Sequence, residues 1–312
     1  MLSEPMDVLK NFPVRKSRKQ KQAFRDAVQS YVTELGFEYR VEEGSMGSRN
    51  MVIGRPDSAK YLITAHYDTC ARLPAPNLIT PCNPLMFLLY QLFMVAVMLI
   101  PPLAVGAVIG WLAMDFFLGY LAGYFTLLFT LFMMLLGPAN RHNANDNTSG
   151  VVTLLEIART LPENLRDKVC FVLFDLEEAG LIGSASYRKA HKAAIQDQLV
   201  LNLDCVGDGD TIMLFPTKDL RRDARRMAAL DAISGPCGPK SIVLHRKGFS
   251  VYPSDQRNFP LGVGIAAFHR KKGVGLYCSR IHTGRDRILE MTNVNILRAA
   301  LITLVSNDTT AG

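Results

Sequence analysis

Charge is what this 312-residue chain lacks over one long stretch: between Arg72 and Arg141 the only charged residue is Asp115. A water-facing loop or domain is not expected there. Cysteine pairing is missing as well. The six cysteines (Cys70, Cys82, Cys170, Cys205, Cys237 and Cys278) form no CxxC and no dense framework. That excludes a disulfide scaffold and points to free thiols in a reducing compartment. The first twenty residues contain no apolar core, so no signal peptide is expected. Internal repeats and low-complexity tracts are absent, as are zinc-finger, RNP and helix-turn-helix signatures. Nucleic acid is therefore not an expected partner, despite a net charge of +7.

In place of charge the chain has apolar surface. Hydrophobic residues make up 49% of it, and the excess is local. Residues 86–110 (MFLLYQLFMVAVMLIPPLAVGAVIG) hold no charge, and their strongest polar group is the amide of Gln91. Elsewhere the chain is ordinary and basic. Seven Lys and Arg residues lie between Lys10 and Arg25 with no acid among them. Such a run is either a solvated helix face or a patch for anionic lipid. Phe24, Ala27, Val28, Tyr31, Val32 and Leu35 recur at helical spacing and predict an amphipathic helix over 17–35, closed by Gly36. Strand-like runs follow at 37–41 and 50–53, and 60–65 (KYLITA) reads as a buried strand leading straight into His66. Beyond the apolar block the pattern predicts a helix at 151–161 and strands at 168–174 (KVCFVLF) and 199–203 (LVLNL), with a helix at 184–195 between them. A polar-faced helix at 218–233, a strand at 263–268 and a closing helix at 293–305 complete it. Alternating strands and helices predict an α/β sandwich, a mostly parallel central sheet flanked by helices.

Three of these strands end in residues with metal-binding chemistry: His66-Tyr67-Asp68, Asp175-Leu176-Glu177-Glu178, and Asp204. In open α/β sheets ligands gather at the carboxyl ends of strands, so these side chains converge on one crevice. Asp146 in NANDNTSG and His282 in IHTGRD add two loop candidates. Singly, an acid after a strand is most often a helix cap or a solvated charge, and a histidine most often a satisfied core residue. The set is what points to metal. Nitrogen and carboxylate donors without thiolate suit Zn and, with less preference, Mn or Co.

Six motifs stand in order: HYD at 66–68, NDNTSG at 145–150, EEAGLIGS at 177–184, NLDCVGD at 202–208, SDQRNF at 254–259 and HTGRD at 282–286. Together they resemble the M28 family of di-zinc aminopeptidases over nearly everything except the apolar block. The resemblance implies two Zn ions bridged by Asp146, with His66 and Asp204 completing one and Glu178 and His282 the other. It implies Glu177 as general base and Asp68 as the carboxylate that orients His66. The chemistry is coherent in physical terms. A carboxylate has two oxygens with which to bridge ions roughly 3.5–4 Å apart, and a ligating imidazole needs its other nitrogen hydrogen-bonded. Of two adjacent glutamates, one can anchor metal while the other moves the water's proton. Two departures, Gln256 where the family commonly has histidine and Arg287 where it has a small hydroxyl residue, bear on the substrate pocket and not on the ligands. In the family the bond after the bridging Asp is often cis, here Asp146–Asn147.

Ordinary members of the family join the HYD and NDN motifs by a short loop; here 79 residues separate His66 from Asp146. The 53 residues of 85–137 exceed a loop of a compact domain. They fit two membrane spans, about 85–110 and 116–137, with Asp115 at the turn and Trp111 and Phe116 beside it. Pro101-Pro102 should kink or break the first. Because His66 and Asp146 must meet, the chain has to leave and return on one side. The expected organisation is a catalytic α/β domain in two parts, 1–77 and 140–312, interrupted by a transmembrane hairpin at 78–139. Arg72, Arg141 and the basic N-terminal run place that domain on the cytoplasmic side of a plasma or inner membrane. The expectation is an integral-membrane, metal-dependent aminopeptidase acting on peptides with a free N-terminus, homo-oligomerisation left open. The alternatives are a glutaminyl cyclase-like single-zinc enzyme and a non-catalytic membrane scaffold on a peptidase fold.

Overall fold

Uninterrupted apolar runs such as VCFVLF sit where both faces of a sheet are covered. In the computed structural model, which describes residues 2–73 and 75–307, they form its centre. Ten strands belong to one sheet: β1 (Tyr39–Glu43), β2 (Arg49–Ile53), β3 (Tyr61–His66), β4 (Val169–Phe174), β5 (Leu199–Leu203), β6 (Thr211–Pro216), β7 (Gly235–Cys237), β8 (Lys240–Leu244), β9 (Gly262–Lys271) and β10 (Gly275–Tyr277). Their order is β1-β2-β4-β3-β5-β9-β6-β8-β7, with β10 paired to β9. The heart, β4-β3-β5-β9, is parallel. Antiparallel pairings flank it, β1 and β2 on one side and β6 and β7 on the other, so the whole is a mixed sheet with a parallel centre.

Helices cover both faces. The helices of the described residues are α1 (Asp7–Asn11), α2 (Arg18–Glu34), α3 (Pro84–Ala113), α4 (Phe116–Leu136), α5 (Gly150–Thr160), α6 (Ile182–Ala190), α7 (Ala224–Ala232) and α8 (Met291–Asn307), of which α3 and α4 stand apart from the sheet. One face packs Ile63 and Phe171 with Val28 of α2, Leu154 of α5 and Leu301 of α8; the other packs Leu62 and Val172 with Tyr187 of α6. Ser17 starts α2 with a capping box, its side chain accepting from Gln20 N while the Gln20 side chain returns to the Ser17 backbone. The basic run around this cap is not one solvated face. Arg15, Lys21 and Arg25 are buried, whereas Lys10, Arg18 and Lys19 stay exposed. Arg15 Nε donates to Tyr67 O (2.5 Å), Arg25 to Tyr67 Oη (2.9 Å), and Lys21 Nζ pairs with Asp175 (2.5 Å).

The long apolar helices α3 and α4 form a hairpin that projects from the domain, and both are long and apolar enough to cross a membrane. Asn83 caps α3 by accepting from Met86 N (3.1 Å). Asp115 caps α4 by accepting from Phe117 N (2.8 Å) and Leu118 N (3.1 Å). α3 runs through Pro101 and Pro102 as one helix, so the proline pair does not break it. The two helices meet backbone to backbone at glycines: a Cβ on Gly106 would lie 2.9 Å from Gly119 O, and one on Gly123 3.0 Å from Pro102 O. Small residues at such a crossing are typical of helices packed within lipid. At the base the chain leaves and returns through one doorway. Ala71 and Ala139 form a β-bridge, Arg72 N donates to Pro138 O (3.0 Å), and Lys16 Nζ donates to Leu135 O (3.1 Å).

Candidate metal centre

Parallel neighbours end on the same edge of a sheet, so β4, β3 and β5 deliver Glu177 and Glu178, His66 and Asp204 to one place. Asp146 arrives in a distorted turn, Ala144–Ser149, that leads into α5, with a cis peptide at Asp146–Asn147. His282 arrives on the loop after β10. All six candidates line one cavity of about 260 Å³. His66 Nε2 lies 3.3 Å from Asp146 Oδ1, 3.6 Å from Asp204 Oδ1 and 3.9 Å from Glu177 Oε2. His282 Nε2 lies 2.8 Å from Asp146 Oδ2 and 3.6 Å from Glu178 Oε2. Asp146 therefore turns one oxygen toward each imidazole.

Asp68 stands behind this cluster in a different way from the one expected. Its carboxylate is 3.6 Å from His66 Nδ1, beyond hydrogen-bond length; the closer partner of that nitrogen is the Asp68 backbone oxygen, at 3.2 Å. The carboxylate instead accepts from Glu177 N (3.1 Å) and Glu178 N (3.2 Å), fixing the turn that carries both glutamates. Asp286, in the HTGRD motif but not singled out from sequence, does the same for Asp146: it accepts from Asn145 N (2.7 Å) and Asp146 N (3.0 Å). Asn147 ties the same turn to the end of β5, donating to Leu203 O (2.9 Å) and accepting from Cys205 N (3.3 Å). Tyr252 closes a wall and donates to Asp204 O (3.0 Å). Cys70 and Cys205 lie within reach of the same donors and were not singled out from sequence; Cys205 stands next to Asp204 in NLDCVGD, whereas nothing local marks Cys70. Asp175 is not part of the cavity; it is buried against Lys21 and accepts from Arg49 N (3.1 Å). Gln256 bonds to Tyr252 O (2.8 Å) and Asn202 (3.2 Å) beneath the site, and Arg287 lies on the surface beside His142.

The donor set fits a zinc-class metal. Nitrogen and carboxylate oxygens lie mutually within 4.8 Å in two overlapping groups, His66 with Glu177 and Asp204 and His66 with Asp146 and Glu178, and Glu178 Oε1 is buried without a hydrogen-bond partner. Burial pushes the Glu178 carboxyl up to about 8 and that of Glu177 well above the usual carboxylate range. Burial alone would lower the His282 imidazole, yet Glu178 and Asp146 carry it up to about 10. Crowding of this kind is what a divalent cation relieves. A larger groove, about 850 Å³, runs beside the hairpin glycines; it shares no residue with the acidic cavity.

Comparison with known proteins bears on the family and the fold. The family model described as Peptidase family M28 matches residues 132–305. Aminopeptidase YwaD of Bacillus subtilis (strain 168) is 42% identical over 67 residues, 20% of this chain and 15% of that protein, so the match spans only a small part of the curated relative. A Zn-dependent exopeptidase from Parabacteroides distasonis superposes with a TM-score of 0.61 at 15% identity, covering 97% of both chains. A glutaminyl cyclase from Tannerella forsythia gives 0.59 at 16%, covering 95% of this chain and 94% of the other. The LapA aminopeptidase of Legionella pneumophila gives 0.57 at 14%, covering 97% and 70%. At such identities the likeness to these structures is one of fold.

Proposed function

The chain belongs to peptidase family M28, and from that premise we propose that it is a membrane-anchored zinc aminopeptidase, hydrolysing the amide after the first residue of a peptide. The observation that carries this reading is Asp146, whose two oxygens face two different imidazoles. In this reading His66 and Asp204 would hold one ion, Glu178 and His282 the other, and Asp146 would serve both. Zinc, when bound, supplies a Lewis acid for the scissile carbonyl and lowers the pKa of water toward neutrality. Glu177, which shares a turn with Glu178 but is assigned no ion, takes the attacking water's proton and returns it to the leaving amine. Asp68 and Asp286 act through the backbone, holding Glu177, Glu178 and Asp146 in place. The hairpin is the anchor, so the chain divides as 1–77, 78–139 and 140–312. The catalytic domain faces the cytoplasm: Arg72, Arg141, Arg285 and Arg287 are exposed near the hairpin base, whereas the tip carries only Asp115.

Glutaminyl cyclase is the second reading, because a protein of that name shares the fold. Elemental analysis of unchelated protein, together with turnover of aminoacyl amides, tests the choice. Two zinc-class ions per chain and release of the first residue support the peptidase. A stable value of one ion, with pyroglutamate formed from N-terminal glutamine peptides, favours the cyclase.

A further inference from the structure

The acidic cavity has a second wall that the family-matched stretch, 132–305, does not contain. Leu78 and Ile79 form its lower part, and Phe87, Tyr90 and Gln91, on the first turns of α3, form the rest. This wall is fastened to the centre. Tyr90 Oη donates to Asn77 Oδ1 (2.9 Å), and Asn77 Nδ2 donates to Ile281 O (3.1 Å), one residue before His282. The Phe87 ring packs 6.0 Å from that of Phe249. The helix that crosses the bilayer is thus also a side of the cavity in which the metal donors meet.

The hairpin's own dimensions place that cavity relative to lipid. α4 has 21 residues, about 31 Å of helix, which matches the roughly 30 Å hydrocarbon core. α3 has 30 residues, nine more. Gly106 and Gly110 of α3 meet Gly119, and Pro102 meets Gly123, which sets Leu136 at the end of α4 level with the region of Gln91. Seven residues of that surplus, Pro84 to Tyr90, therefore lie at the start of α3 and reach about 10 Å beyond the end of α4. Phe87 and Tyr90 lie on that surplus. On its outward side Leu85, Leu88 and Leu89 remain 63%, 54% and 48% exposed, a surface suited to the boundary between acyl chains and headgroups.

We propose that the substrate is a membrane-held peptide whose short N-terminal stub emerges from the same lipid surface, with α3 serving as both anchor and substrate-contacting wall. This rests on the membrane-anchored aminopeptidase reading above. A stub of about three extended residues, some 10 Å long, bridges the distance. A site remote from the membrane would require a much longer one.

The test uses the full metal-loaded chain in phosphatidylcholine–phosphatidylglycerol vesicles. Leucine-initiated peptides are anchored in the same vesicles by a C-terminal acyl chain through spacers of about four or about twelve residues. Turnover with the short spacer should come within about threefold of that with the long one. Gln91→Glu, at an exposed position, should raise lysine-initiated over leucine-initiated turnover at least threefold by placing an acid in the wall. A short-spacer peptide bearing a photoreactive first residue should cross-link within 85–91, a readout that needs no turnover. Cleavage only with the long spacer, or cross-links confined to other segments, would overturn the placement. An unchanged lysine-to-leucine ratio would overturn the wall. Failure to hydrolyse any peptide, soluble or anchored, while the cross-link still forms, would overturn the aminopeptidase reading and leave the wall in place.

Discussion

Glu177 and Glu178 are chemical twins turned toward different imidazoles by one step along the chain, and the proposed reading gives them different work. Glu178 reaches toward His282 and Glu177 toward His66. Glu177→Gln should therefore keep two zinc-class ions per chain by elemental analysis, while turnover falls ~10²-fold or more. Glu178→Ala should lose metal along with activity. Asp286→Ala removes the acceptor for Asp146 N and should weaken zinc binding by about 10- to 100-fold, read by competition with a chromogenic chelator. The six residues that line the cavity could be picked out from sequence because each stands at or just after the end of a strand or inside a short polar motif. Tyr252 and Cys70 could not, and Asp286, though inside HTGRD, gave no sign of its partner, since each reaches the centre through contacts between segments distant in the chain. Asp68 shows the finer difficulty: its position beside His66 was legible, but not that its carboxylate serves the backbone of residues more than a hundred positions away.

Among elements, β3, β4 and β5 were legible as apolar runs ending in acids or histidine, within a residue of their observed bounds. The expected helix over 218–233 is instead a short turn, Leu220–Arg222, followed by α7. Asp223 is the reason: its side chain accepts from Arg226 N (2.9 Å) and starts a new helix, while the apolar spacing runs on across the break. The strands β6, β7, β8 and β10 went unread. β7 and β10 are three residues each, too short for an alternation to register. The hairpin elements rest on their glycines. A Cβ at Gly119 would fall 2.6 Å from Gly106 O and 2.8 Å from Gly110 Cα, both backbone atoms that cannot rotate away. Gly119→Val should thus force the helices apart at a cost of about 1–3 kcal/mol. Trp111, the one tryptophan in the chain, sits at the tip and reports the change as a shifted emission and an earlier thermal transition in detergent.

At the scale of the molecule, an inserted hairpin predicts that the protein stays with membranes through high-salt and alkaline washing, which remove surface electrostatics but not buried helices. Release by salt would defeat the anchored reading. A cysteine introduced beside Asp115 should react with an impermeant thiol reagent from outside intact cells, and one beside Arg141 only once the membrane is opened. The Ala71–Ala139 bridge brings the two ends of the hairpin together, so a Gly/Ser linker in place of 85–137 should yield a soluble protein that still binds zinc. The same doorway sets an order of events during synthesis. His66 and Asp68 leave the ribosome before the hairpin, whereas Asp146, Glu177, Glu178, Asp204 and His282 all follow it. The apolar helices are thus complete while the centre is still missing most of its donors. If the hairpin inserts as proposed, a chain made in this order completes its donor set only after its apolar helices have been delivered to the bilayer.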